Sequence, residues 1–272
     1  MENENLNVKS QLILKKVKHT LWITLNRPET SNAITYEMIA SLTNSLREAD
    51  QDSTIRVIII TGEGKNFCSG GDLNNMMNKA EMFAGESNEL RQRYEHGIQQ
   101  ISRVMESISK PIIAVVNGSA AGAGCDLACM CDMRLGASTT QFMESFVKIG
   151  LVPGDGGTFF LQRVVGYAKA VELTLTGRVV AAEEAEKIGL LNKIVDINEL
   201  KNEAQKLADL ISSNAPVAVQ MSKKALKIGY LHDLSASLDL LSAYQGIAQR
   251  TEDHYEALKS ITEKRKPDFK GY

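Results

Sequence analysis

Pro111-Ile-Ile-Ala-Val-Val-Asn-Gly118-Ser-Ala-Ala-Gly-Ala-Gly-Cys-Asp126-Leu127 carries the pattern from which the architecture follows. Residues 111–116 are a short, wholly apolar run, which predicts a strand buried on both faces. Gly118 to Gly124 holds only small side chains, which predicts a tight turn, and a helix is expected from about Cys125. The same succession of strand, turn and helix recurs nearby. Residues 57–61 are β-branched and apolar and end at Gly62 and Gly64, and residues 132–158 repeat the pattern. Such a repeat predicts an α/β fold.

Toward the N-terminus, residues 11–18 and 20–25 read as two strands, closed by Arg27-Pro28. Thr35 is the expected N-cap of a helix, because Ile39, Leu42, Leu46 and Ala49 recur at helical spacing. Residues 89–108 read as one helix with Ile98, Ile101, Val104, Met105 and Ile108 on its apolar side. After residue 196 the character changes. Residues 199–213, 216–228, 234–250 and 251–263 all read as helices, with breaks at Pro216 and Gly229. The expected division is an α/β body, residues 1–196, and a helical region, residues 197–272, that packs on a neighbouring subunit or on the body.

With 272 residues, 43% hydrophobic and 24% charged, the chain has the make-up of an ordinary globular protein. A net charge of −2 gives no general attraction for nucleic acid or an anionic membrane, and neither is expected as a partner. The opening MENENLNVKS lacks the basic start and apolar centre of a secretory signal, and the longest apolar runs are far too short to span a bilayer. A cytoplasmic location is the expectation. Cys125, Cys129 and Cys131 form a Cys-x3-Cys-x-Cys spacing that matches no common zinc pattern. With Cys68 they read as buried free thiols, and no metal is expected.

The glycine-rich stretches fit neither a phosphate loop nor a nucleophile elbow. No G-x-x-x-x-G-K-[ST] occurs, Gly62-Glu-Gly64 is followed three residues on by Phe67, and the serine of Phe67-Cys-Ser69-Gly-Gly71 lacks the glycine two positions before it. His19, His96, His232 and His254 lie outside every glycine-rich turn. What remains is a shared design. Phe67-Cys-Ser-Gly-Gly71-Asp-Leu73 and Ala120-Ala-Gly-Ala123-Gly-Cys-Asp126-Leu127 each set small residues between a buried strand and a helix. Small side chains let a ligand approach the backbone, and N–H groups at a helix start have no partner within that helix. Two such donors converging from different turns would hold a carbonyl oxygen as it gains charge, an oxyanion hole. Either segment alone is equally well read as tight strand–helix packing.

Taken together with their flanks, the segments resemble the crotonase superfamily, the enoyl-CoA hydratase/isomerase family. Leu25-Asn-Arg-Pro-Glu-Thr-Ser-Asn-Ala-Ile34 looks like its early CoA-contacting turn. Gly62 to Leu73 and Lys110 to Leu127 look like its two oxyanion segments, and Val147-Lys-Ile-Gly-Leu-Val-Pro153, Gly156-Gly-Thr158 and Leu175-Thr-Gly177 continue the series. The resemblance implies a spiral of ββα units with a helical C-terminal trimerisation region, forming a homotrimer or a dimer of trimers. It implies an acyl-CoA substrate and no separate cofactor, coenzyme A being part of the substrate. Gly71 and Ala123 would supply the oxyanion N–H groups. Ser31, Ala33, Gly70, Asp72 and Leu73 would line the CoA path, and Phe269 and Lys270 would reach a neighbour's CoA.

Hydratases of the family use two glutamates, and here both positions depart from that pattern. The first holds Asp126, an acid one carbon shorter. The second holds Phe146, whose ring transfers no proton and would instead line the acyl site. Glu144, two residues earlier, would share a strand face with Phe146 and would serve only if the local backbone were shifted. Asp155 stands in a turn that resembles the place of a catalytic aspartate in dienoyl-CoA isomerases, and equally suits a cap for the helix near Thr158. The expected chemistry is enolate stabilisation with Asp126 as proton shuttle and Asp155 as second group, giving double-bond isomerisation or hydration. A ring-modified acyl-CoA isomerase, which carries aspartate at the position of Asp126, and a non-catalytic CoA-binding paralogue are the alternatives.

Overall fold

A computed structural model describes residues 6–9 and 11–272, with side chains from residue 11 onward. Among these residues a seven-stranded sheet runs in the order β1-β2-β3-β4-β5-β7-β10. Its strands are β1 (Leu6–Lys9), β2 (Leu12–Val17), β3 (Thr20–Leu25), β4 (Val57–Gly62), β5 (Ile112–Val116), β7 (Met133–Ala137) and β10 (Lys193–Val195). The first three pair antiparallel and the rest parallel. A smaller sheet holds β6 (Ser119–Ala121), β8 (Gln141–Met143) and β9 (Val179–Ala181) in the order β6-β8-β9.

The apolar runs are two-sided because they stand at the centre of the large sheet. Ile58 and Ile60 of β4, with Ile112, Ala114 and Val116 of β5, enter one core. Val57 and Ile59, with Ile113 and Val115, enter a second core on the opposite face. Successive side chains of a strand point to opposite faces, so a strand with two covered faces needs no polar residue. Each fully buried aliphatic side chain contributes roughly 1.5–3 kcal/mol of transfer free energy. The first core lies under α1 (Tyr36–Gln51), α4 (Gln99–Ser107) and α5 (Ala123–Met130). The second lies under α9 (Leu200–Ser212), where Gln205 accepts a 2.7 Å hydrogen bond from Trp22 Nε1.

Thr35 caps α1 as its sequence predicts, accepting the Met38 N–H at 3.1 Å. The stretch 89–108 departs from expectation. It is two helices, α3 (Ser87–His96) and α4, parted at Gly97, whose φ of −105° and ψ of −110° leave the helical region. The five apolar residues of its predicted inner side are nonetheless all buried. Between these helices and β4 lies the five-residue α2 (Leu73–Met77).

Two further helices, α6 (Gly157–Val165) and α7 (Tyr167–Thr176), join β8 to β9 within the small sheet, and α8 (Ala182–Lys187) leads from β9 to β10. Beyond α9 come α10 (Pro216–Leu231), α11 (Leu234–Ala248) and α12 (Glu252–Thr262). Lys223 fastens α10 to the body, donating to the Lys110 carbonyl at 2.7 Å and pairing with Asp132 at 2.6 Å. Leu226, Tyr230, Leu234, Leu241 and Ile247 of α10 and α11 remain exposed. All four cysteines are buried free thiols. Among the described residues no helix is long and apolar enough to cross a membrane.

Candidate active site

The two glycine-rich turns leave the C-terminal ends of β4 and β5 and are stitched together by backbone hydrogen bonds. Phe67 and Cys68 direct their N–H groups at the Ser119 carbonyl, at 3.0 and 3.2 Å, and Ala121 returns its own to Cys68 at 2.9 Å. On the other side of β6, Gly122 donates to Met143 at 2.8 Å. Gly70 sits where the turns touch. Its φ is +85°, and a Cβ there would lie 2.8 Å from the Ala121 carbonyl oxygen and 3.0 Å from the Ala123 nitrogen. Only glycine meets both the conformation and the space.

This stitching leaves two N–H groups over. Neither Gly71 nor Ala123 donates to a protein acceptor among the described residues. Ala123 is the first residue of α5, so its N–H has no partner within the helix. Both residues line one cavity of about 570 Å3, as the oxyanion expectation requires.

The early turn closes one flank of that cavity. Asn32, fully buried with φ of 59°, holds it: Oδ1 accepts the Arg27 N–H at 2.9 Å, and Nδ2 donates to the carbonyls of Glu63, Asn66 and Phe67 at 3.0, 2.9 and 3.1 Å. Ile34 then donates to Gly70 at 2.8 Å. Ala33, Asp72 and Leu73 reach the cavity wall, whereas Ser31 and Gly70 stand behind it. Ser31 braces the wall: its carbonyl accepts from the Ser69 N–H and its hydroxyl from Asn66 Nδ2, both at 2.9 Å. Asp72 also caps α2, accepting the N–H groups of Asn74 and Asn75.

Phe269 and Lys270 are not brought to this cavity. The Phe269 carbonyl accepts from Arg56, just before β4, and the Lys270 N–H is held by Asp253, both at 2.6 Å. They stand at the end of the sheet opposite the two turns.

The inner wall is apolar and aromatic, with Met82, Phe83, Tyr94, Ile98, Met143, Phe146 and Leu151. One acid is set into it. Asp155 lines the cavity although its residue is only 3% exposed. The helix-cap reading of Asp155 is not met: Gly156 is the N-cap of α6, and no side chain caps that helix. The loop is instead fixed by α4, since Gln99 donates to the Gly154 carbonyl at 2.7 Å and the Ser102 hydroxyl to the Asp155 carbonyl.

Behind Asp155 lies Asp126, fully buried on the first turn of α5. Its carboxyl packs so closely on Gly157 that any Cβ there would overlap it. A third acid, Glu144, is 3% exposed and also adjoins Asp126. The strand expected through Glu144 and Phe146 does not form. Ser145–Ile149 is a 3-10 helix closed by Gly150 at φ 72°, which sends Phe146 into the cavity wall and Glu144 toward Asp126. The sequence signal for this was Gly150 itself, a left-handed helix terminator that a continuing strand does not need.

No N–H or hydroxyl reaches either oxygen of Asp126, either oxygen of Glu144 or Oδ1 of Asp155. These oxygens face one another's carboxyls, a contact that becomes a hydrogen bond only when one of them carries a proton. Burial, then the charges of Asp155 and Glu144, hold the Asp126 carboxyl well above the usual carboxylate range. Burial likewise raises Asp155 and Glu144. The positive end of α5 favours ionised Asp126 by at most about 2 kcal/mol, less than the several kcal/mol by which burial disfavours a charge. Three adjacent carboxyls in such a place cannot all be ionised. The group is therefore a store of protons opening on the cavity through Asp155. Among the described residues no group of three or more His, Cys, Asp or Glu could hold a metal ion.

Comparison with known proteins agrees with this geometry. The family model for enoyl-CoA hydratase/isomerase matches residues 16–272. The short-chain-enoyl-CoA hydratase of Clostridium acetobutylicum is 37% identical over 260 residues, 94% of this chain and 96% of that protein. The 1,2-epoxyphenylacetyl-CoA isomerase of Escherichia coli is 36% identical over 262 residues, 96% of this chain and 99% of its own length. The crystal structure of an enoyl-CoA hydratase from Bacillus anthracis superposes with a TM-score of 0.89 at 30% identity, covering 97% of this chain and 100% of that one. The crotonase-type α/β fold with its helical C-terminal region is thus shared, and the chain belongs to the enoyl-CoA hydratase/isomerase family.

Proposed function

We propose that the protein moves a double bond within an acyl-CoA thioester by way of an enolate held between the N–H groups of Gly71 and Ala123. The observation that carries this reading is the placement of Asp155: its carboxyl shares the cavity with both donors, while the position of a second hydratase glutamate holds Phe146. As the thioester oxygen gains charge against the two N–H groups, the α-carbon becomes acidic. Asp155 takes the α-proton, the electron pair of that C–H bond enters the enolate, and the proton returns to the γ-carbon as the double bond shifts. Asp126 shares the proton with Asp155 from behind, so that the shuttle is a pair rather than one group. Isomerisation needs no positioned water, and the inner wall named above carries, beside Asp155, only the Tyr94 hydroxyl as a polar side-chain group.

Phe83, Tyr94 and Phe146 surround the inner end, and this aromatic lining supports a second reading, a ring-bearing acyl group. The similarity to the 1,2-epoxyphenylacetyl-CoA isomerase of Escherichia coli points the same way. The CoA moiety is assigned to the flank formed by Ala33, Asp72 and Leu73. The exposed apolar faces of α10 and α11 support a homotrimer, in which Phe269 and Lys270 would meet a neighbour's substrate.

The test is product identity. Offered crotonyl-CoA, a β,γ-enoyl-CoA and a dienoyl-CoA, the protein is expected to shift double bonds without change of mass. Faster addition of water to crotonyl-CoA would make it a hydratase, and failure to turn over any enoyl-CoA would leave a CoA-binding paralogue.

A further inference from the structure

We infer that Glu144 is a positioning residue of the proton shuttle, the anion that keeps a proton on Asp126 while Asp155 faces the substrate. The inference rests on the Asp126–Asp155 pair proposed above and adds a third member.

Glu144 has no structural occupation that would explain its burial. It caps no helix by its side chain, and neither oxygen receives an N–H or a hydroxyl. A buried carboxyl left this way costs several kcal/mol unless its environment gives it a proton or a proton donor. Asp126 is the acid among the donors to Glu144, and the Cys125 thiol is the other. The position of Asp126 is tied to that of Glu144 through the backbone: Gly122 accepts the Asp126 N–H at 3.0 Å and donates its own to Met143, the residue before Glu144. Asp126 thus adjoins two carboxyls, that of Asp155, which lines the cavity, and that of Glu144, which does not.

The remaining titratable groups around the cluster do not take over this role. Cys125 and Cys129, on α5 itself, are buried thiols; Cys125 hydrogen-bonds Glu144 but carries no charge to replace it, since its hydrogen bond with Cys129, then burial, raise it well above the ordinary thiol range. Cys68, of the first turn, and Tyr94, on α3, both lie near Asp155; burial pushes Cys68 up to about 12 and raises Tyr94. Arg134 of β7 spends its guanidinium on the carbonyls of Ala128, Cys131 and Leu190 at the far end of α5, and Lys148 lies on the cavity wall.

With Glu144 ionised, loss of the Asp126 proton would set two negative charges side by side in a medium that scarcely solvates either. Glu144 therefore defers that loss to higher pH. Asp155, with a neutral Asp126 behind it, stays poised as a base. Glu144→Gln removes the anion and offers Asp126 an N–H donor, so the Asp126 proton is lost at lower pH.

The experiment follows the infrared band of protonated carboxyl groups against pH in the wild type, Glu144→Gln and Glu144→Asp, with folding checked by circular dichroism. The wild type is expected to keep a protonated carboxyl above neutral pH. In Glu144→Gln the band should vanish about one unit lower, with a tenfold loss of turnover on the alkaline side. Glu144→Asp, which keeps the anion, should restore most of the wild-type titration. Identical titration of the wild type and Glu144→Gln would overturn the assignment, as would a wild type with no carboxyl protonated above neutral pH. The infrared reading does not depend on turnover. An inactive wild type that still titrates as described would refute the isomerase proposal and leave the role of Glu144 intact.

Discussion

The two glycine-rich turns offer the same chemical group, one unpaired N–H, on very different supports. Gly71 is followed by α2, five residues long with none buried, over a cavity edge where Leu73 is 59% exposed. Ala123 opens α5, all eight residues of which are buried. A donor can stand on either support, since it needs only an N–H turned toward the cavity. An acid with a raised pKa requires burial, and only α5 provides it, carrying Asp126 a turn beyond the donor. The first turn thus supplies an edge against which substrate can seat. The second supplies both the donor and the floor on which protons are kept.

The sharpest way to break this contrast is to remove the acid at the cavity face. Asp155→Asn should lower turnover by about 10²–10⁴-fold with acyl-CoA affinity little changed, measured by steady-state kinetics and calorimetry. Next, Ala123→Pro deletes the donor of the buried turn while keeping the helix, because proline is tolerated at the first helical position. Its expected effect is about 10²–10³ in turnover, again with binding retained. Loss of binding along with turnover would instead mean that the turn recognises the thioester only in its ground state.

A third test concerns the weaker support. Asn32→Ala strands the carbonyls of Glu63, Asn66 and Phe67, and should cost about 1–3 kcal/mol in urea denaturation and raise KM through a looser first turn. Smallest is the effect of pH on stability. The Asp126 carboxyl is raised on folding, so its contribution is fully present below the unfolded carboxylate range and is lost as pH rises through the folded value. The advantage in Tm of Asp126→Asn over the wild type should therefore grow from about pH 5 to about pH 9. A constant difference would contradict the raised pKa.

The supports were legible in the sequence to different depths. The apolar runs of β4 and β5, the small-residue turns and the Thr35 cap follow from local rules, because burial on two faces and N-capping leave direct marks on residue choice. Gly71, Ala123 and Asp126 are singled out in those segments by the resemblance to the family rather than by local rules. What leaves no such mark depends on tertiary placement or on a glycine that ends an element. Asn32 joins carbonyls more than thirty residues away through its side-chain amide, a bond with no periodic trace. The break at Gly97 was outweighed by the apolar periodicity on either side of it. On a strand running toward Gly150, Glu144 would share a face with Phe146. The 3-10 conformation of Ser145–Ile149 separates Glu144 from Phe146 and gives each a different neighbourhood.

If an enolate forms between the two turns with Asp155 as base, hydrogen exchange at the α-carbon reveals it. Butyryl-CoA, which has no double bond to move, is incubated with the protein in deuterium oxide and its α-hydrogens are followed by mass spectrometry. The wild type is expected to exchange them for deuterium, and Asp155→Asn to do so at least about a hundredfold more slowly. Binding of butyryl-CoA without exchange in the wild type, or equal exchange in the two proteins, would contradict the account.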